Sequence, residues 1–316
     1  MNTERSVQSR TVQSHTAQGA FLNNIMRYRW QYGMILPGIA CLVLFNYIPI
    51  AGLQIAFRDF QLGTTIWSSP WVGFENFSFL SDTEFWRVVW NTLAITLLKF
   101  SFNFITPILL ALMLNEVSKL HFKRIVQTIS YLPHFISWIV IAYLIDALLA
   151  PDALVNQVIS LLGGEQIFFM GEAAWFRPII VITSVWKEVG WGSIIYLAAI
   201  ASIDPEMYEA SYMEGAGKLA QLKYITLPCL VPTVVLLLIL GIPGLLNAGF
   251  DQIYPLMNGA NMVVSDVLDT YVLRTGLQQG YFSSAAAVGL LSSVIAFILI
   301  FTTNKLARSL NGEGLW

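Results

Sequence analysis

Four side chains that could bind a polar solute share one face of an apolar stretch, predicted to be a helix over residues 177–201. At about 100° per residue they fall within an arc roughly 100° wide: Ser184, Lys187, Glu188 and Trp191. Lys187 lies roughly 14 Å from the start of the stretch at 1.5 Å per residue, so its amine should face an interior. An aromatic ring beside hydroxyl, amine and carboxylate groups suits a sugar. Alternatively, Lys187 and Glu188 each pair with a neighbouring helix, and the residues leave both readings open.

A second polar stripe runs along residues 88–114. Its members recur at three- and four-residue steps, which places them on one helix face: Thr92, Thr96, Lys99, Asn103 and Thr106. The stripe could line a solute pathway, but the interhelical hydrogen bonds common in membrane bundles are the favoured reading. Two interior lysines, Lys99 and Lys187, suggest an acidic solute. Three carboxylates could cancel that charge: Asp146, Glu188 and Asp251.

The elements that position these side chains are membrane spans. Of the 316 residues 56% are apolar and only 11% are charged, with a mean hydropathy of +0.65. Soluble domains are usually near a quarter charged, so the composition indicates an integral membrane protein. Prolines and glycines inside the apolar runs favour kinked spans that line a cavity. Cys41 and Cys229 offer no disulfide framework.

Six spans are predicted, at about residues 32–57, 88–114, 125–149, 177–201, 230–250 and a last one that ends near 304. Six spans place both termini and the polar 202–228 connector on one side. Eleven Lys and Arg residues lie in segments on that side and four in segments on the other, which obeys the positive-inside rule and makes that side cytoplasmic. The predicted organisation is a cytoplasmic tail, a first span with its outer loop, a transmembrane domain and a second cytoplasmic tail: residues 1–31, 32–84, 85–305 and 306–316.

The 202–228 connector is unusually well organised for a loop between spans. Asp204 is a good N-cap, and Pro205 fits the first position of a helix. Gly215 permits a sharp turn between two short helices, and Pro228 opens the next apolar run. Such a loop is expected to dock onto another molecule.

The same connector carries a family motif. Glu209-Ala-Ser, three residues, Gly215, nine residues and Ile225-x-Leu-Pro228 resemble the EAA loop of ABC importer permeases. The resemblance implies an all-α integral membrane protein of the type I permease fold, in which this loop is the coupling helix that contacts a cytoplasmic ATPase. It assigns that contact to nine residues: Glu209, Ala210, Ser211, Glu214, Gly215, Ala216, Ile225, Leu227 and Pro228. Four positions depart from the family pattern: Ser211, Glu214, Leu219 and Leu222.

Weaker motifs resemble the carbohydrate-uptake, maltose-type branch of these permeases. They are Trp71-Val-Gly-Phe-Glu-Asn-Phe77, Tyr131-Leu-Pro-His-Phe-Ile-Ser137 and Phe250-Asp-Gln-Ile-Tyr254. Residues 265–274 and 287–290 look like a sub-branch that serves oligosaccharides from degraded polysaccharides. Pro243-Gly244 should break the helix of the fifth span. Besides the 177–201 face, the predicted solute pathway includes three residues at the outer end of this span, Asn247, Asp251 and Gln252, together with Lys99 of the second span. Kinking without solute contact is the alternative there.

The resemblance also implies partners and a location. The expected partners are a second homologous permease, two ATPase subunits that hold ATP and Mg, an extracytoplasmic solute-binding protein, membrane lipid and an oligosaccharide that could be acidic. The expected location is the bacterial cytoplasmic membrane. No cofactor, metal site or nucleic-acid contact is expected on this chain, because it has no P-loop and its three histidines are scattered.

Other classes of protein fit the residues less well. No Gly-x-Ser-x-Gly elbow is present, and His134 is more simply a packed helix-end residue than a catalyst, so an enzyme is not expected. A stand-alone carrier or channel would leave the connector without a partner. An ABC permease for a solute other than a sugar is the remaining alternative.

Overall fold

The computed structural model describes residues 27–311 and the side chains of residues 27–305. The predicted N-terminal tail falls mostly outside the described residues, as do the last five residues of the predicted C-terminal tail. The described chain is all-helical, with a single isolated β-bridge between Arg58 and Trp71. The predicted all-α membrane fold is thereby confirmed.

The helices fall into a long set and a short set. The longer helices are α1 (Arg29–Leu42), α2 (Thr83–Glu116), α3 (Leu120–Tyr131), α4 (Trp138–Leu149), α6 (Ala173–Ala201), α9 (Leu227–Gly241) and α13 (Phe282–Asn311). The shorter ones are α5 (Leu154–Leu161), α7 (Pro205–Met213), α8 (Lys218–Gln221), α10 (Phe250–Ile253), α11 (Met262–Ser265) and α12 (Leu268–Leu273). Several 3₁₀ and π turns extend them, so that α1 continues to Phe57 and α8 runs through α9 to Leu246.

Five helical segments in the described chain are long and apolar enough to cross a membrane, one of which includes the turn between α4 and α5: Arg29–Phe57, Thr83–Glu116, Trp138–Leu161, Lys218–Leu246 and Phe282–Lys305. The sixth predicted span corresponds to α6, which is 29 residues or about 43 Å long. α6 is not among these five apolar segments, and it carries three charged residues: Arg177, Lys187 and Glu188. The predicted count of six is therefore close to what length and composition alone give.

The third predicted span, residues 125–149, is not continuous, and this prediction was wrong in detail. α3 ends at Tyr131, a 3₁₀ turn covers Leu132–Phe135, and α4 begins at Trp138 after two residues in extended conformation. Pro133 lacks the N–H that a continuous helix needs. Ser137 then caps α4 by accepting from the Val140 amide at 3.4 Å. The break falls within the bundle.

Residues 251–283 form the connection between the fifth and the sixth predicted spans. Its short helices pack into the bundle, and several of its polar residues are fully or almost fully buried: Gln252, Asn261, Ser265, Asp266 and Thr270. Asp266 pairs with Arg274 at 2.6 Å, and Arg274 also pairs with Glu84 of α2 at 2.9 Å. The Arg274–Glu84 pair fastens the segment to α2, so it is part of the structural core.

α2 and α6 form the central helix pair of the bundle. One buried cluster joins Ile95 of α2 and Ile180 of α6 to Ile141 of α4 and Ile253 of α10. α3 crosses α6 closely at Gly190, where an added Cβ would lie 2.0 Å from the Ser130 carbonyl oxygen. The small residue therefore brings the end of α3 and the helix break against the middle of α6.

Candidate functional site

The break between α3 and α4 is held by Lys187 of α6. The Lys187 Nζ donates to the backbone carbonyls of His134 and Ile136, both at 2.6 Å, and to that of Pro133 at 3.3 Å. The side chain is 6% exposed, and its ammonium lies 5.4 Å from the centre of the Trp138 ring. Carbonyls freed by a broken helix need donors inside a membrane, and Lys187 supplies them.

Glu188 and Trp191, the next polar and aromatic residues of α6, make an open surface with His134. The Glu188 Oε2 lies 3.0 Å from the His134 Nδ1. The rings of His134 and Trp191 are stacked, with centroids 4.4 Å apart and planes within 1°. Trp191 is 45% exposed, and the His134 and Glu188 side chains are about one third exposed. We call these three residues the stacked surface.

The four residues predicted to share one arc of α6 are therefore divided by the structure. Ser184 is buried and accepts a hydrogen bond from the Asn103 Nδ2 of α2 at 2.8 Å. Lys187 is buried as well, and its contacts are those of the packing alternative. Glu188 and Trp191 remain accessible. A carboxylate, an imidazole and an indole in this arrangement can hydrogen-bond hydroxyl groups and cover an apolar ring face.

Lys99 and Gln252 meet beside the end of the fifth span. The Lys99 Nζ donates to the Ala248 carbonyl at 2.9 Å and to the Gln252 Oε1 at 2.7 Å. Gln252 is 1% exposed, and its Nε2 donates to the Ile180 carbonyl at 2.8 Å and to the Thr183 hydroxyl at 3.0 Å. Gln252 is thus saturated by the protein, whereas an ammonium can donate three bonds and Lys99 makes two.

Two cavities lie on either side of Asn247. A cavity of about 360 Å³ is lined on its polar part by Thr96, Lys99, Asn103, Tyr196 and Asn247. A larger one, about 660 Å³, is lined by Asn247 and by five further polar residues: Asp251, Gln252, Asp269, Ser292 and Ser293. Burial raises the pKa of Asp269. We call the cavity beside Lys99 the amine cavity and the larger cavity beside Asp251 and Asp269 the carboxylate cavity.

The predicted break at Pro243-Gly244 is confirmed. α9 ends at Gly241, a 3₁₀ turn covers Ile242–Leu246, and Asn247 has an extended backbone. Gly249 then adopts a positive φ of 91°, which carries the chain back toward Lys99. The break therefore places Asn247 at the wall of both cavities and Gln252 in the core.

The 202–228 connector has the local geometry that the sequence predicts. The Asp204 Oδ1 accepts from the Glu206 amide at 3.0 Å, and Pro205 begins α7. Gly215 has a φ of 82°, a left-handed conformation that makes the turn toward α8. The Tyr208 hydroxyl lies 2.9 Å from that of Thr226, so α7 is tied to the start of the fifth span.

A second set of contacts stiffens the connector. The Gln221 Nε2 donates to the Ser211 hydroxyl at 3.0 Å, so the residue that departs from the family pattern ties α7 to α8. Lys218 pairs with Glu116 at the end of α2 at 2.7 Å. Of the other residues assigned to ATPase contact, Ile225 is buried and Ala216 is half-buried, and the rest are exposed: Glu209, Ala210, Glu214, Gly215, Leu227 and Pro228.

Sequence reasoning missed part of the exposed connector surface and part of the stacked surface. Three large apolar side chains of the connector are strongly exposed: Tyr212 at 74%, Met213 at 84% and Leu219 at 82%. Exposed apolar groups on a polar loop mark an interaction surface.

The role of His134 could have been suspected from Pro133, since a proline inside an apolar run often marks a helix break. No group of three or more potential metal-ligating side chains occurs among the described residues.

Residues 103–311 match the family described as "Binding-protein-dependent transport system inner membrane component". The chain belongs to this family. It is a transport permease subunit rather than an enzyme. Protein LplB of Bacillus subtilis strain 168 is 44% identical over 294 residues, which are 92% of each chain. The polygalacturonan/rhamnogalacturonan transport system permease protein YteP of the same organism is 43% identical over 93% of the permease and 92% of YteP.

A solved structure gives the same relationship in three dimensions. The permease matches a chain of a bacterial ABC transporter involved in the import of the acidic polysaccharide alginate, with a TM-score of 0.86 and 38% identity. The match covers 92% of the permease and 99% of that chain. A second match, at a TM-score of 0.86 and 37% identity, is an alginate transporter in complex with a periplasmic protein that binds an alginate pentasaccharide. The type I ABC permease fold follows from these matches.

The hydrogen bonds of Lys187 generate a stability prediction. We expect Lys187→Met to lower the free energy of unfolding by about 1–3 kcal/mol, because the His134 and Ile136 carbonyls lose the ammonium that donates to them, whereas the Pro133 carbonyl still accepts from the Ile136 amide. The matched control is Lys218→Met, which removes an exposed ion pair and should change stability by less than about 1 kcal/mol. Thermal unfolding of the detergent-solubilised permease measures both. Equal effects of the two variants would contradict the capping role of Lys187.

Proposed function

We propose that this permease imports oligosaccharides across the bacterial cytoplasmic membrane by alternating access, with both of its termini in the cytoplasm. The observation that carries the proposal is the connector: two short helices, stiffened by internal hydrogen bonds, that present Tyr212, Met213 and Leu219 to a partner. A flexible loop could not transmit force, whereas this one is tied to α2 and to the fifth span. The named carbohydrate permeases among its relatives support the sugar class.

The partners follow from the same proposal. A second homologous permease completes the membrane part, two ATPase subunits bind ATP and Mg, and an extracytoplasmic binding protein delivers the cargo. The nine connector residues assigned by the family motif, from Glu209 to Pro228, receive the motion of the ATPases. α6 ends at Ala201, three residues before the Asp204 cap of α7, so a displaced connector moves α6 directly.

The cargo contacts in this proposal are the stacked surface and the amine cavity. Trp191 covers an apolar sugar face, and Glu188 accepts hydrogen bonds from hydroxyl groups. In the amine cavity, Lys99, Asn103 and Asn247 offer donors, and the Asn103 Oδ1 is buried without a partner. Ser184, Lys187 and Gln252 act indirectly here, because their polar atoms hold the helices that carry these groups.

An acidic cargo is the finer part of the proposal. The alginate importer acts on an acidic polysaccharide, and Lys99 has one donor left to pair with a sugar carboxylate. Lys187 no longer supports an acidic cargo, since its ammonium is buried against three carbonyls. Asp251 lines the carboxylate cavity, and its negative charge would disfavour a sugar carboxylate there. An acidic sugar unit of the cargo is therefore expected beside Lys99.

Gly215→Pro tests the coupling. Proline fixes φ near −65°, whereas Gly215 has a φ of 82°, so the turn between α7 and α8 cannot form. We expect cargo-stimulated ATP hydrolysis by the reconstituted importer to fall about tenfold or more, within the range of measured coupling energies. Gly217→Ala is the control, since Gly217 has a φ of −75° and open space around it. Transport at full rate by the Gly215→Pro variant, or by the permease alone without nucleotide, would overturn the proposal.

Trp191→Ala tests the stacked surface. We expect the KM for oligosaccharide transport to rise about tenfold, which corresponds to about 1.4 kcal/mol of lost binding. Trp191→Phe should retain most of the affinity, because it keeps an aromatic face. Trp186→Ala is the control, since Trp186 lies on the same helix and is equally exposed at 46%. An equal rise for both alanine variants would remove the stacked surface from the cargo pathway.

Lys99→Met tests the charge of the cargo. We expect the ratio of uptake of acidic to neutral oligosaccharides of equal length to fall about fivefold, equivalent to about 1 kcal/mol. The ratio corrects for any loss of folded permease. Lys187→Met is the matched control and should leave the ratio unchanged, because its amine is already saturated. A constant ratio in both variants would leave the oligosaccharide proposal standing and remove the acidic cargo.

A further inference from the structure

We infer that the permease holds one membrane phospholipid in a groove between α2 and α6, at the end of the bundle opposite the connector. The groove has a volume of about 430 Å³. Its walls are apolar except for a single cation, and they are formed by Leu98, Phe102, Arg177, Pro178, Val181, Ile182 and Val185. It is separate from the stacked surface and from both cavities beside Asn247.

The groove follows the direction that an acyl chain takes in a bilayer. Arg177 is four residues into α6, about 6 Å from the start of the helix, and Val185 lies about 12 Å further along. The cation is therefore nearest the membrane surface, and the aliphatic walls continue from it toward the membrane centre. Ile182 is 67% exposed and Phe102 is 50% exposed, so the groove opens to the outside of the described bundle.

The side chains of the groove fit hydrocarbon better than a neighbouring transmembrane helix. Helix interfaces within membranes are enriched in Gly, Ala, Ser and Thr, which allow close approach of two backbones. None of these residue types lines the groove. By contrast, the amine cavity between the same two helices and α9 includes Gly192, Gly241 and Gly244. The groove instead presents branched and aromatic side chains around a narrow furrow.

Arg177 supplies the second requirement, a positive charge that still lacks a counter-ion. Its Nη2 donates to the Asn91 Oδ1 at 2.9 Å, and its Nε is buried without a partner. No carboxylate of the described residues pairs with it. Arg274, by comparison, pairs with both Glu84 and Asp266.

Charge complementarity therefore identifies the occupant. A guanidinium binds a phosphate through parallel hydrogen bonds, and its weak hydration suits the membrane interface. A glycerophospholipid places a phosphodiester at that depth and an acyl chain directly below it. The lipid phosphate pairs with Arg177, and one acyl chain lies against Leu98, Val181 and Ile182.

A photoreactive residue placed at Ile182 tests this in the fully assembled importer in native membranes. After irradiation, mass spectrometry should find the permease carrying the mass of one phospholipid. Arg177→Gln should reduce that adduct about fivefold or more, because the phosphate loses its cation. Arg87→Gln is the matched control, since Arg87 lies at the same end of the bundle and pairs with Glu84 outside the groove.

Two results would overturn the inference. An adduct between Ile182 and a protein subunit would show that a partner chain covers the groove. An unchanged phospholipid adduct in Arg177→Gln would show that the lipid contact is not selected by the cation. Leu98→Trp narrows the groove and keeps Arg177, and it should also suppress the adduct. Normal membrane abundance of each variant shows that the loss of the adduct does not come from misfolding.

Discussion

The obligation to pair every backbone carbonyl within a membrane governs the centre of this permease. Lys187 meets it by placing its ammonium among the carbonyls of Pro133, His134 and Ile136. Without that donor the break between α3 and α4 would leave the His134 and Ile136 carbonyls without the ammonium that pairs them inside the bundle. With it, His134 turns outward and stacks on Trp191. A buried amine thus creates the open surface beside it, and the proposed cargo contacts depend on a residue that is itself unavailable to cargo.

The same helix joins the two ends of the proposed mechanism. α6 carries Glu188 and Trp191 in its middle and leads to the Asp204 cap of the connector. Gly190 packs it against the end of α3, and Asn103 fastens it to α2 through Ser184. Because these contacts are close and specific, α6 is suited to move as a rigid unit. Displacement of the connector would then move the stacked surface together with the α6 wall of the amine cavity, which includes Gly192 and Tyr196.

The connector could be predicted from its local sequence. The orientation of the polar residues of α6 could not, because it depends on pairing with residues far along the chain. Asp204, Pro205 and Gly215 act through their own backbone, so their effects are visible in the sequence. The orientation of Ser184 and Lys187 depends on partners about 50 to 80 residues away. Helical periodicity placed them on one arc with Trp191, but it could not show that Asn103 and the helix break already occupy two of the four. The motif at residues 265–274 was likewise visible, but the burial of Asp266 was not.

Lys187 lies far along the sequence from the helix break that it contacts, and this has a consequence for how the chain enters the membrane. The three carbonyls precede their donor by 51 to 54 residues. Ribosomes add about 5–20 residues per second, so α3 and α4 wait for roughly 3–10 s before Lys187 has even been synthesised. During that interval the nascent break needs the water-accessible interior of the insertion machinery, or a chaperone, to satisfy it. Biogenesis of this permease is therefore constrained by the order of its helices, and a circular permutant that makes α6 first would be relieved of that wait.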